Sequence, residues 1–416
     1  MTPSPIDRRT LLKSTAAGAA TLPLSSFAFA APRETLRVGV VGCGGRGTGA
    51  AFDCINSSEG VEIYALGDLF EYRVNDAKGR LANLERGNAI SDERCFVGWD
   101  AFEKVMDSGV DVVILATPPH FRPQMLRAAV ERGLNVFMEK PVAVDGPGVR
   151  SVIESGEMAK LKGLAIVSGT QRRHQSSYLA TMQRLHDGEI GEVVGGQCWW
   201  NQGSLWMHPR QAEWTDMEWQ LRNWLYFTWL SGDHICEQHI HNLDVMNWAL
   251  GSTPVSCVGL GGRQVRTDAA YGHVFDHFSV ELEYPGGVLV QSSCRQIDNT
   301  ASRVAERVVG TKGVADPAGT IRGESNWRFD GDGISPYVQE HTDLIASIRA
   351  GEPLNEAKRV AESTLTAIMG RMSTYTGKKI TFEQALNSTE DLTPASYEFG
   401  DLAVAPVPMP GLTQFT

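Results

Sequence analysis

Residues 36–49, L-R-V-G-V-V-G-C-G-G-R-G-T-G, constrain this chain more than any other stretch. The apolar run 38–41 predicts a buried parallel strand. It enters directly into Gly42, Gly44 and Gly47, the spacing G-x-G-x-x-G. In such a loop the first glycine permits the tight turn, the second lets backbone approach a pyrophosphate, and the third lets helix and strand pack closely. Gly45 and Arg46 lie inside it. The helix expected over 48–56 turns its free N–H groups and positive dipole end toward a phosphate. A second apolar run, 61–66, leads into Gly67-Asp68. That acid stands about 20 residues past the last glycine, where a carboxylate takes a ribose 2′-hydroxyl. Asp68 would repel a 2′-phosphate, so the expected cofactor is NAD rather than NADP. The plainer alternative is an aspartate that merely caps a helix.

Strand and helix alternate through the rest of this half. Helices are expected over 69–84, 101–107, 122–133 and 148–160, and strands over 95–96, 110–116, 135–138 and 164–168. That rhythm predicts right-handed crossovers and a parallel sheet. Ligands of such sheets lie beyond the carboxyl ends of the strands. The glycine loop, Asp68, Thr117, Pro118, His120, Glu139 and Lys140 all fall at that edge, which makes them the candidate cofactor-binding set.

Past residue 168 the pattern changes. A helix over 178–186 is followed by expected strands over 193–200, 255–261, 277–284 and 288–294, the last two joined by the turn Y-P-G-G. Phe278, Val280 and Leu282 alternate with Ser279, Glu281 and Glu283, which implies a sheet with one wetter face. Helices are expected over 337–350 and 356–376, the second packing back on the first domain. The chain therefore divides into an N-terminal Rossmann domain of α/β class over 34–168 and an α+β domain over 169–390. The second domain carries an open, mostly antiparallel sheet, and an extended tail occupies 391–416.

The amino terminus reads as an address. D-R-R-T-L-L-K-S at 7–14 is a twin-arginine pattern, followed by an alanine-rich stretch and A-F-A at 28–30, a small-x-small cleavage site. Residues 1–30 are thus expected to be a signal peptide directing folded protein to the periplasm. The apolar part is too short to span a membrane. Twin-arginine export carries folded proteins, so a bound dinucleotide can travel along. The net charge of −11 argues against nucleic acid or an anionic membrane as partner. Seven cysteines without C-x-x-C pairs suggest neither zinc nor a disulfide framework.

Taken together, V-G-C-G-G-R-G, Ala116-Thr117-Pro118, Glu139-Lys140-Pro141, Gly188-Glu189-Ile190-Gly191 and the segment 237–244 resemble the glucose–fructose oxidoreductase, inositol dehydrogenase and MocA family. The resemblance covers nearly all of the chain after the signal. It implies a Rossmann domain followed by an open sheet that often forms oligomers, and a polyol or sugar held between nicotinamide and sheet. It also implies that Lys140 contacts the reacting hydroxyl and that Glu139 lies near the nicotinamide ribose. The family's acid and histidine four residues apart match Glu237 and His241, followed by Asp244.

The spacing of Glu237, His241 and Asp244 places all three on one helical face. Moving a hydride from a carbinol carbon requires the hydroxyl proton to leave, best to a base near neutrality. His241 fits that task, Lys140 could steady alkoxide character, and Glu237 could bind a neighbouring hydroxyl. These three are the candidate catalytic residues. His234, Glu237, His239 and His241 crowd together, but no H-E-x-x-H occurs, and the expectation is no metal. Seven of the ten tryptophans fall between 199 and 229. Trp206 could stack on a sugar ring or simply pack. Arg173, His239 and Asp244 complete the candidate substrate contacts.

Three functions fit these residues. The first is an exported NAD-dependent oxidoreductase of a sugar, polyol or glycoside, built as a homo-oligomer through its C-terminal sheet. The second is an NAD-dependent glycosidase working by transient oxidation at C3, elimination and water addition. The third is a sugar-binding protein with a structural dinucleotide.

Overall fold

The computed structural model describes residues 34–416; the expected signal peptide lies outside the described residues. Six strands form the first sheet: β1 (Leu36–Val41), β2 (Val61–Asp68), β3 (Cys95–Val97), β4 (Val112–Leu115), β5 (Asn135–Met138) and β6 (Ile166–Ser168). Their order is β3-β2-β1-β4-β5-β6, and every neighbouring pair is parallel. The order reverses between β1 and β4, so a crevice opens at the carboxyl end of β1. The strands are short and apolar because helices cover both faces. Val38, Val40, Val112 and Ile114 are all buried. The helix after the glycine loop is Gly45–Ser57, starting within the loop itself.

The second sheet has nine strands. The expected ones are β7 (Val193–Gln202), β8 (Ser256–Gly262), β9 (His277–Tyr284) and β10 (Val288–Gln296). Beyond the expectation come β11 (Arg303–Gly310), β12 (Gly313–Asp316), β13 (Thr320–Gly323), β14 (Trp327–Arg328) and β15 (Ile380–Thr381). Only β7 and β10 pair in parallel; the rest of the sheet is antiparallel. Phe278, Val280, Leu282 and Tyr284 face the core with Val290 and Cys294, while Leu260 and Leu289 stand exposed on the opposite face.

Two C-terminal helices join the domains, where the sequence predicted only the second to do so. Leu344 and Ile345 of Pro336–Ala350 belong to the same apolar cluster as β1 and β2. Helix Ala357–Thr376 lies between the sheets. Its Thr364 Oγ1 accepts from Val142 N (3.3 Å) and Arg371 Nη1 donates to Val144 O (2.8 Å). On its other side Ser373 Oγ accepts from Gly259 N of β8 (2.8 Å). No helix among the described residues is long and apolar enough to cross a membrane.

Candidate active site

The cradle at the carboxyl end of β1 follows from three glycines. Gly42 has φ +92°, a left-handed conformation, and a Cβ there would stand 2.7 Å from Thr117 N. A Cβ on Gly47 would stand 1.8 Å from Gly42 O, so only glycine lets the helix approach the strand. Around Gly45 there is open space within 4 Å. The first-turn N–H groups of helix Gly45–Ser57 have no partners within the helix, which suits a pyrophosphate. A cavity of about 800 Å³ lies over this loop, lined by Gly42, Gly44, Gly45, Asp68, Thr117 and Pro118 among others.

Asp68 ends β2 and is 6 % exposed. Its Oδ2 accepts from Cys43 N (2.7 Å) and its Oδ1 from Phe70 N (2.9 Å). Burial pushes its carboxyl above the usual range, against the pull of Arg73. Each oxygen keeps a further lone pair for a ribose hydroxyl. These residues fit a dinucleotide.

Arg46 reaches the other way. Its Nε donates to Glu139 Oε1 (2.5 Å), and it pairs with Asp53 Oδ2 (3.3 Å) and the buried Glu340 Oε1 (3.5 Å). Glu139 approaches the chain so closely that a Cβ on Gly169 would stand 2.5 Å from its carboxylate. His120 departs from the expectation. Its Nε2 meets Tyr397 OH at 2.8 Å among the rings of Phe121 and Trp229, and burial pushes it down to about 4. Thr117 and Pro118 face the cavity; His120 serves the aromatic packing beside it.

Lys140 follows β5. Its Nζ donates to Glu237 O (2.6 Å) and stands 3.7 Å from Glu237 Oε1. Glu237 Oε2 is buried without a partner. The imidazole of His241 stacks on Trp200 at 5.6 Å between centroids. Burial first, then the charges of Lys140, Arg172 and Arg46, hold His241 well below its ordinary pKa. The imidazole is therefore neutral near pH 7. Arg172 lies over Trp200 at 5.7 Å and is anchored by Glu306 (2.5 Å).

The single helix over 237–244 is corrected. Helix His234–Glu237 stops, Gln238 and His239 intervene, and a new helix runs Ile240–Leu250. Asp244 does not join Glu237 and His241. It takes Arg173 in a two-pronged pair (2.8 and 3.0 Å) and also meets Arg359 and Ser363. Arg173 and Asp244 are thus tied to each other. His239 is fully buried, its Nε2 bonded to Ser292 Oγ at 2.7 Å, and burial pushes it down to about 3. It is a core histidine. Trp206 lines the cavity over the glycine loop, beside Arg73, His208 and Trp224, and so stands on the nucleotide side, away from Lys140 and His241. Among the described residues no three His, Cys, Asp or Glu side chains are grouped to hold a metal.

Two family models match consecutive parts of the chain. Residues 36–169 match an oxidoreductase family with an NAD-binding Rossmann fold, and residues 178–316 match the GFO/IDH/MocA C-terminal domain. The chain belongs to the GFO/IDH/MocA family. As a member it is an NAD-dependent oxidoreductase. It is similar to the inositol 2-dehydrogenase of Corynebacterium glutamicum, 26% identical over 75% of this chain and 80% of that enzyme. It is also similar to the 2,7-anhydro-N-acetylneuraminate hydratase of Escherichia coli, 25% identical over 49% of this chain and 51% of that one. Its fold matches the scyllo-inositol dehydrogenase of Lactobacillus casei solved with NAD(H) and scyllo-inositol, with a TM-score of 0.65, 17% identity, and coverage of 84% and 99%.

Several residues of this GFO/IDH/MocA member escaped the sequence reading. Trp200 stacks on His241 and Glu306 anchors Arg172 beside it, and only the position of Trp200 in the tryptophan-rich stretch hinted at it. Trp99, Phe121 and Tyr397 line the cavity with no motif to mark them.

Proposed function

We propose that the protein is an exported oxidoreductase that oxidises a carbinol of a sugar, polyol or glycoside with a tightly held NAD. The observation that carries this reading is the cluster at the end of β5. Lys140 holds Glu237, a buried carboxylate oxygen of Glu237 is unpartnered, and the charge of Lys140 is felt at His241. When bound, NAD supplies the hydride acceptor. Lys140 orients the reacting oxygen and its charge favours alkoxide character. The neutral imidazole of His241 takes the hydroxyl proton. Glu237 Oε2 accepts from a neighbouring hydroxyl, which selects polyols and sugars over simple alcohols. The inositol dehydrogenases among the relatives support that class. A panel of polyols, aldoses and aryl glycosides with NAD⁺ tests it: absorbance at 340 nm rises with at least one polyol or sugar. A flat response across the panel, without product, overturns it.

A second reading has its own support, the relative named as a hydratase, since adding water leaves no net oxidation. In that reading the hydride returns within each turnover. Aglycone release from an aryl glycoside without net NADH would select it.

Export rests on the arginines of D-R-R-T-L-L-K-S. R8K with R9K is expected to leave the protein in the cytoplasm of the expressing cell; unchanged periplasmic recovery counts against the twin-arginine route, and wild type absent from the periplasm counts against export. A homo-oligomer through the open face of the second sheet is supported by the exposed Leu260 (73%) and Leu289 (46%). Light scattering would show a multimer, reduced in mass by L260D with L289D.

A further inference from the structure

The cavity over the glycine loop continues past Asp68 to three aromatic rings that the proposed reaction does not use. Trp99, Phe121 and Tyr397 line it. Their ring centroids lie 5.7–6.4 Å apart, so the three rings form one packed group at the cavity wall. Trp99 and Phe121 come from the loops after β3 and β4, at the same carboxyl edge as the glycine loop. Gly98 N donates to Asp68 O (3.1 Å), which fixes Trp99 beside the ribose acid. Tyr397 comes from the tail, 277 residues beyond its hydrogen-bond partner His120.

The tail is pinned on both sides of Tyr397. Before it, Leu392 N donates to Asp145 Oδ2 (3.0 Å) and Glu390 pairs with the buried Arg371. After it, Met217 N donates to Gly400 O (3.1 Å) and Gln220 Nε2 to Leu402 O (2.8 Å). A segment held at both ends, with one ring directed at the cavity, is a strap. Nothing in the tail's composition requires it to return here, so its position calls for a role.

We propose that Trp99, Phe121 and Tyr397 form the platform for the adenine of NAD, and that residues 391–402 strap the nucleotide in place between turnovers. The proposal rests on the reading of NAD as a tightly held cofactor. With the pyrophosphate on the glycine loop and the ribose on Asp68, the base carried by that ribose falls in the same cavity, where these rings are. A purine has a flat π face, and stacking on aromatic side chains needs no other specificity. Release then requires the strap to lift and its backbone hydrogen bonds to break. A strap of this kind suits an enzyme that works where no NAD is supplied.

The test uses the full-length protein. NADH is loaded, chased with excess NAD⁺, and its fluorescence decay gives the dissociation rate. Y397A is expected to release NADH about 10- to 100-fold faster, tenfold corresponding to 1.4 kcal/mol. Y397F should stay within about 3-fold of wild type, since the ring and not the hydroxyl does the stacking. Hydrogen exchange in residues 391–402 of nucleotide-stripped wild type should slow on adding NAD⁺, a readout that needs no variant. An unchanged release rate in folded Y397A, or exchange in 391–402 indifferent to NAD⁺, overturns the strap. Wild type that binds no NADH overturns instead the reading on which it rests.

Discussion

His241 is the residue whose environment says most about chemistry. Burial and the nearby charge of Lys140 both disfavour its imidazolium. A base held neutral this way stays able to accept a proton at pH values where an ordinary histidine is half charged. The acid limb of kcat/KM assigned to His241 should therefore lie below pH 6.5, the unperturbed value. A limb that H241N removes and that is centred at or above 6.5 would contradict the geometry. H241N should lower kcat about 10²- to 10⁴-fold and leave NADH dissociation unchanged. Removing the like charge with K140M should move the His241 titration upward, read by NMR in the nucleotide-free protein. A second residue-scale expectation concerns Asp68. Arg73 lies in the same cavity and pulls on the Asp68 carboxyl. D68S should therefore improve binding of NADP⁺ relative to NAD⁺, because the repelling carboxylate goes and the guanidinium stays. Titrations of both nucleotides check this; an unchanged ratio would remove Asp68 from the ribose. Gly42, Gly47, Asp68 and Lys140 were legible because backbone geometry and strand ends leave a local trace. Arg173 and His239 were not, because a pairing partner 71 residues away and complete burial leave none.

At the scale of elements, the break between helices His234–Glu237 and Ile240–Leu250 decides where Glu237 points. Asp233 fixes the start of the first of these helices. It has φ +70° and ψ +165°, a region that side chains rarely occupy. Its carboxylate accepts from His234 N (2.6 Å), Phe275 N (2.8 Å) and Tyr375 OH (2.5 Å). D233A should destabilise the fold by roughly 3 kcal/mol or more, since buried donors lose their acceptor. D233G loses the same bonds but relieves the backbone, and should be about 1 kcal/mol more stable than D233A. Urea midpoints give the order; D233A at or above D233G would rule out strain. The sequence pattern missed this break because acid and histidine at four residues apart also fit one continuous helix. It missed β11 for a related reason. Along R-V-A-E-R-V-V-G the inward residues are Glu306 and Val308, and Glu306 is buried because Arg172, Tyr178 and Asn242 satisfy it. A buried charge disguises the alternation by which a strand is recognised.

For the whole molecule, the interior holds more neutral imidazole than a sequence can reveal, and this fixes the direction of its acid sensitivity. Burial pushes His120 and His273 down to about 4, His239 and His341 to about 3, and His241 well below its ordinary value. In the unfolded chain each titrates near 6.5. Below pH 6.5 the unfolded state therefore binds protons that the folded state does not, and stability falls as pH falls, by about 1.4 kcal/mol per pH unit for each imidazole. Glu340 opposes this. Burial and Glu139 raise its carboxyl well above the ordinary value, so between about pH 4.5 and its raised value it gives up a proton on unfolding. His174 has the other sign. Asp343 (2.6 Å) and Glu356 (3.6 Å) outweigh burial and lift it to about 9, so its contribution is complete below 6.5 and is lost as pH rises toward 9. Burial raises the carboxyls of Asp53, Asp68, Asp145 and Glu306 too, and they act in the same sense as Glu340. The imidazoles start from the higher ordinary value, so net uptake of at least about one proton on unfolding near pH 5 is expected for the nucleotide-free protein, read from the pH dependence of its urea unfolding free energy. Against total stabilities of about 5–15 kcal/mol, each net proton taken up removes about 1.4 kcal/mol per pH unit as pH falls. Uptake of less than one proton would mean that these histidines are hydrated or paired in solution, and that the core around the second sheet is looser than its packing shows.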